Sequence, residues 1–105
     1  MTRQAKKQYL KSYRLQQAKI KRFNDLIIEF PDKRDIFHIC IEKVEQFRKK
    51  IEKQIENVDG TLLSEILFQK YVCGKTLEEI SYLLNYSHRQ IERLHIKALE
   101  NFSLC

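Results

Sequence analysis

The sequence predicts an all-α protein in which an N-terminal helical hairpin precedes a three-helix domain. Residues that interrupt helices are scarce, since the 105 residues include only two glycines and one proline. Apolar residues recur at intervals of three and four, which gives a helix one apolar face, and no stretch alternates as a half-buried strand does. Charged residues make up 32% of the chain, a high share that favours long helices with solvated outer faces.

Two long helices are predicted before residue 58. The first runs from about Thr2 to Glu29 and is ended by Pro31, which has no backbone N–H to continue it. Asp32 is a candidate cap for the second, from about Lys33 to Asn57. The short turn between them predicts an antiparallel hairpin. The residues at heptad positions a and d are Tyr9, Tyr13, Gln16, Ile20, Phe23, Ile27 and Phe30 in the first helix, and Phe37, Cys40, Val44, Phe47, Ile51, Gln54 and Val58 in the second.

A cluster of turn-forming residues at positions 57–61 divides the chain into residues 1–58 and 59–105. Asp59 or Thr61 is the candidate cap for a third helix, from Leu62 to Val72, and Gly74 is its expected C-terminal stop. The side chains expected to pack beneath the remaining helices are Leu63, Ile66, Leu67 and Tyr71.

Two short helices with a minimal turn complete the second domain. Thr76 with Glu79, and Ser87 with Gln90, form capping boxes, which mark two helix starts. Only two residues separate the helices, and the first, Asn85, tolerates the left-handed conformation of a tight helix stop. This pattern predicts a helix-turn-helix motif. The apolar faces are Leu77, Ile80 and Leu84 in one helix, and Ile91, Leu94, Ala98, Leu99 and Phe102 in the other.

The outer face of the second short helix carries the candidate DNA-reading residues. In a helix-turn-helix the N-terminal part of the recognition helix contacts base edges. Arginine can bond guanine in bidentate fashion, and a carboxylate can accept from cytosine. The predicted DNA contacts are Ser87, His88, Arg89, Glu92, Arg93 and Lys97.

The C-terminal stretch from about Gly60 to Phe102 resembles region 4 of bacterial primary sigma factors. The segment SHRQIERLHIKALENF resembles the recognition helix of that region, with its Ser cap, its Ile-x-x-Leu spacing and its Lys-Ala-Leu tail. The segment TLEEISYLLNYS resembles the helix and turn that precede it. Small phage late-gene transcriptional regulators of the RinA and ArpU type carry a similar domain on a chain of similar size. The resemblance implies base-reading positions at His88, Arg89, Glu92 and Arg93. Two residues depart from it: Glu92 replaces a usually basic residue, and Ser81 a common Ala.

Positive charge is concentrated at the N-terminus. The net charge is +6, and residues 1–22 hold eight basic residues and no acidic one, whereas residues 59–105 hold five basic and six acidic residues. Phosphate contacts supply most of the affinity for DNA, so the basic segment is the expected electrostatic arm. The candidate contacts to the DNA backbone are Arg3, Lys6, Lys7, Lys11 and Arg14.

The sequence carries no pattern for catalysis, a cofactor or a metal. Phosphate-binding glycine loops are absent, and Cys40, Cys73 and Cys105 lack metal-ligand spacing and are expected to be reduced thiols. His38 is expected to be partly buried, and His95 to be structural. Without a signal peptide or a long apolar run, we expect no membrane association and a location in the cytoplasm of a bacterial host.

Three functions fit these patterns, one of them an RNA-binding role for the basic N-terminal arm. The first is a sequence-specific, phage-encoded transcriptional regulator that binds double-stranded DNA, and it is not an enzyme. The second is a protein-interaction module that docks on RNA polymerase or inhibits a host factor. A homodimer through the N-terminal helices is expected because one motif reads few base pairs, with Gln16 and Gln54 setting the register. The apolar stripes can instead close within one chain.

Overall fold

The computed structural model describes residues 2–103, which form five α-helices and no strand. Helix α1 spans Arg3–Glu29, α2 Arg34–Glu56, α3 Thr61–Leu67, α4 Leu77–Leu84 and α5 His88–Asn101. A 3-10 turn, Pro31–Lys33, joins α1 to α2, and a π-helical segment, Phe68–Val72, extends α3. The predicted all-α class is confirmed, and within these residues no helix has both the length and the apolar character needed to cross a membrane.

Helices α1 and α2 pack side by side in opposite directions. The ring of Tyr9, early in α1, lies edge-on to that of Phe47, late in α2, with 6.0 Å between centroids. Phe23 and Phe37, at the other end, are 6.2 Å apart. The prediction that Asp32 caps α2 is wrong. Asp32 lies inside the 3-10 turn, so the N-cap position falls on Lys33, which makes no side-chain bond there.

The start of α3 also differs from the prediction, since neither Asp59 nor Thr61 caps it. The N-cap is Gly60, whose φ of +92° lies in the region that favours glycine. A different contact anchors this turn: the Ser64 hydroxyl donates to the Ile55 carbonyl at 3.0 Å. The beginning of α3 is therefore tied to the end of α2.

The predicted third helix continues to Val72, but its last five residues widen into a π-turn. The Cys73 amide donates to the carbonyl of Phe68, five residues back, at 3.1 Å. Gly74 ends the segment at a φ of +76°, as predicted. Tyr71, within this segment, is buried at 3% exposure.

One apolar core joins the two halves of the chain. Helix α1 contributes Leu10 and Tyr13 to this core. Leu10 is fully buried although it is not one of the predicted a and d positions of the heptad. The Tyr9 hydroxyl donates to the Gln54 side chain at 2.5 Å, so Gln54 is engaged within the chain. The apolar faces of α1 and α2 therefore pack, at least in part, against residues of the same chain. The other buried members of this core are Ile51, Ile55, Val58, Leu63, Leu67, Tyr71, Ala98, Leu99 and Phe102.

Candidate nucleic-acid interface

The starts of α4 and α5 carry the two predicted capping boxes. The Thr76 hydroxyl accepts from the Glu79 amide at 3.1 Å, and the Glu79 carboxylate accepts from the Thr76 amide at 3.2 Å. At the start of α5, the Ser87 hydroxyl accepts from the Gln90 amide at 3.1 Å, and the Gln90 side-chain oxygen accepts from the Ser87 amide at 3.0 Å. Each box satisfies backbone donors that have no partner inside the helix, so the local sequence defines both helix starts.

The turn between α4 and α5 depends on Asn85. Its φ of 60° and ψ of 39° are left-handed, as predicted. Both its own amide and that of Tyr86 donate to the Ser81 carbonyl, which closes the end of α4. The left-handed residue turns the chain sharply, so only Asn85, Tyr86 and Ser87 lie between the end of α4 and the start of α5.

The inner face of α5 is packed against the other helices. Ile91 is fully buried together with Ile80 of α4 and Ile66 of α3. Ser81 of α4 is only 5% exposed. Its hydroxyl donates to the Glu78 carbonyl at 2.6 Å, so this polar atom is satisfied within its own helix.

The outer face of α5 is open to solvent over its first two turns. His88, Arg89, Glu92, Arg93 and, one turn later, Lys97 are all exposed. His88 Nδ1 lies 3.4 Å from Glu92 Oε1, and each of these side chains is about half exposed, at 53% and 52%. Ser87 is exposed as well; its oxygen accepts the capping bond, and its O–H can still donate. The six predicted contact residues therefore share one accessible region.

An apolar cavity lies beside this face. It has a volume of about 320 Å³ and is lined by Leu62, Tyr86, Gln90, Arg93 and Leu94. Tyr82 and Leu83 of α4 are also exposed, at 75% and 49%. Sequence reasoning missed this cavity, because Leu62 comes from α3 and only packing brings it next to α5.

The basic N-terminal segment is part of a packed helix. Its five candidate contact residues all lie on α1, where Arg3, Lys11 and Arg14 are exposed and Lys6 and Lys7 are half-buried. The Lys6 ammonium donates to the carbonyls of Leu99 and Glu100 at 2.9 and 3.3 Å. Lys6 therefore caps the C-terminal end of α5 and stabilises the packing of α1 on the C-terminal half.

Arg14 is also engaged at the junction of the two halves. Its guanidinium makes a long hydrogen bond to the Val72 carbonyl, at 3.5 Å. It also lies directly over Gly74, where a Cβ atom would be only 2.5 Å from Arg14 Nη1. A glycine therefore suits this position for two reasons, its positive φ and the close approach of the guanidinium.

Titratable groups with shifted pKa values lie where α1, α5 and the π-segment meet. Burial, followed by the charges of Lys70 and Lys7, lowers the pKa of His95 to about 4. The Tyr71 hydroxyl is 2.8 Å from His95 Nε2, and burial raises the pKa of this tyrosine. Burial, then the charges of Lys11 and Lys7, lowers the pKa of Lys70. His95 is thus a neutral core residue at neutral pH, which confirms its predicted structural role.

His38 and the cysteines offer no alternative site. His38 is exposed, so its predicted partial burial is wrong; it lies on the solvent side of α2. Cys40 and Cys73 are free thiols, and Cys105 lies outside the described residues. Among residues 2–103, no group of three or more His, Cys, Asp or Glu side chains is arranged to hold a metal ion.

Comparison of the chain with protein-family models, with curated proteins and with solved structures found no match.

Proposed function

We propose that the protein is a sequence-specific DNA-binding transcriptional regulator in which α4 and α5 form a helix-turn-helix motif. One observation carries the proposal: α5 buries its inner face completely at Ile91 and Leu99 while its outer face stays open from His88 to Lys97. An α-helix presented in this way fits the width of the major groove. The resemblance to small phage regulators supports a phage-encoded protein of this class.

The chemistry of the outer face suits base recognition. Arg89 and Arg93 lie four residues apart, so they occupy the same side of α5 one turn from each other. Each guanidinium can donate two bonds to one guanine edge, and the Glu92 carboxylate can accept from a cytosine amino group. His88, which pairs with Glu92, can orient that carboxylate.

The test is selection of bound sequences from random duplex DNA, followed by binding measurements on the selected site. We expect Arg93→Ala to weaken binding by about 1–3 kcal/mol and to relax the preference at one base position. Arg34→Ala, which removes an exposed arginine at the start of α2, is the matched control and should keep the preference. Equal weakening of all duplex sequences by Arg93→Ala would contradict base reading.

A protein-interaction role is the second candidate. The exposed side chains of Tyr82 and Leu83, together with Tyr86, which lines the apolar cavity, favour it, because aromatic and apolar groups supply much of the energy at protein interfaces. Under this hypothesis the partner is RNA polymerase or a host factor. Binding of purified RNA polymerase that is lost in Tyr82→Ala, with no enrichment of any DNA sequence, would favour this role over DNA reading.

We propose in addition that two copies of the chain act together through the N-terminal helices. Ile28, Ile36 and Ile39, near the turn between α1 and α2, are exposed at 79%, 61% and 54%. They can supply the apolar surface of such a dimer, since Tyr13 and Ile51 are already buried within one chain. Two motifs would read two half-sites and so provide the specificity that one lacks.

A further inference from the structure

A second cavity lies on the protein where α1 meets the segment before α4. Its volume is about 360 Å³, and it is lined by Lys11 and Arg14 of α1, by Lys70 and Gly74, and by Lys75 and Thr76. We call this cavity the basic groove. Four cationic side chains line it, and they come from parts of the sequence about sixty residues apart.

The charges in the basic groove are poorly compensated by the protein. Among the described side chains, the only short contact between a basic side chain and a carboxylate is that of His88 with Glu92, on the outer face of α5. The pKa of Lys70 is lowered first by burial and then by the charges of Lys11 and Lys7, and Lys11 also lines the groove. Two carboxylates follow in the first turn of α4, those of Glu78 and Glu79, and that of Glu79 is folded back onto the Thr76 amide. A cluster of this kind is stabilised by an anion.

The geometry favours a phosphate group. Gly74 leaves room for the Arg14 guanidinium to approach the backbone, and a planar guanidinium can bind two phosphate oxygens at once. The N-terminus of α4 follows directly at Thr76. Its Thr76 and Glu79 amides are already bonded within the capping box, and Glu78 and Glu79 lie in its first turn, so the cationic side chains supply the attraction. In a helix-turn-helix, the helix before the recognition helix crosses the DNA backbone.

We propose that the basic groove binds a backbone phosphate of the same duplex that α5 reads. This proposal rests on the proposed function, since it assigns the DNA backbone contact that a near-neutral pair of short helices lacks. It moves that contact from the whole basic segment to Lys11 and Arg14, together with Lys70 and Lys75. The protein would then hold the strand at the start of α4 while α5 lies in the major groove.

The first experiment measures the salt dependence of binding to duplex DNA by fluorescence anisotropy. Each lost phosphate contact lowers the slope of log K against log salt by about 0.9. We expect Lys11→Gln/Arg14→Gln to lower the slope by about 0.9, as the loss of one phosphate contact requires, and the affinity by roughly 8-fold at 0.1 M salt, equally for selected and scrambled duplexes. Lys49→Gln/Lys50→Gln, which removes two exposed charges from α2, is the matched control and should leave the slope unchanged. An equal decrease in both double variants would overturn the proposal.

The second experiment uses the wild-type protein, so it does not depend on how the variants fold. We expect duplex DNA to shift the amide NMR signals of Gly74, Lys75 and Thr76, and millimolar inorganic phosphate to leave them in place. Shifts with inorganic phosphate but not with the duplex would overturn the proposal and indicate a free phosphorylated ligand.

The two experiments separate this proposal from the proposed function. If the groove signals stay in place with DNA while Arg93→Ala still removes sequence preference, the groove proposal fails and the proposed function stands. If neither the selected nor the scrambled duplex binds, both fail.

Discussion

Mild acid should destabilise this protein through His95. The imidazole is 4% exposed, and its pKa falls from 6.5 in the unfolded chain to about 4 in the folded one. The unfolded state therefore binds a proton more readily, so this contribution to stability is complete above pH 6.5 and is lost as the pH falls toward 4. At 1.36 kcal/mol per unit the full loss is about 3 kcal/mol, of which about 2 kcal/mol is lost by pH 5. That is a large part of the stability of a small domain.

Urea unfolding followed by circular dichroism at pH 7.5 and pH 5.0 tests this prediction. The informative variant is Tyr71→Phe/His95→Leu, which removes both partners of the buried bond and so leaves no polar atom unpaired. We expect it to lose about 2 kcal/mol less than wild type between the two pH values. The control, His38→Gln/His88→Gln, changes two exposed histidines and should behave like wild type. A Tyr71→Phe/His95→Leu variant that keeps the full pH dependence would refute the assignment to His95.

Three further predictions concern the Lys6 contact, the Asn85 turn and the proposed dimer surface. Lys6→Met should lower the free energy of unfolding by about 1 kcal/mol, because it removes the bonds to the end of α5. The same variant should leave the salt slope of DNA binding unchanged. A decrease of about 0.9 in that slope would show that Lys6 contacts a phosphate instead. Asn85→Ala should lower stability by about 1 kcal/mol in thermal unfolding, whereas Asn85→Gly should be nearly neutral, because only alanine is strained at a φ of 60°. Equal effects of the two substitutions would contradict the role of the left-handed conformation. Light scattering should give a dimer mass for wild type and a monomer mass for Ile36→Glu/Ile39→Glu, with unchanged circular dichroism; a monomeric wild type would exclude the dimer.

The local sequence determined the helix class and most of the helix ends. Capping boxes such as Thr76 with Glu79 involve backbone and side-chain atoms within four residues, so they form whenever the helix does. The same holds for Asn85, whose preference for the left-handed region belongs to the residue itself. The buried and exposed faces of α5 also follow from helical periodicity, and this is why the candidate reading residues could be chosen from the sequence.

Only the tertiary structure decided which distant part of the chain each of these side chains contacts. Lys6 was predicted from its charge as a DNA contact, but its ammonium reaches carbonyls at the end of α5, over ninety residues away. Gln54 was expected to set the register between chains, yet the core brings the Tyr9 hydroxyl to it within one chain. The basic groove likewise exists only because α1 packs against Gly74. Charge and periodicity state what a side chain can do, whereas packing determines which partner lies within reach.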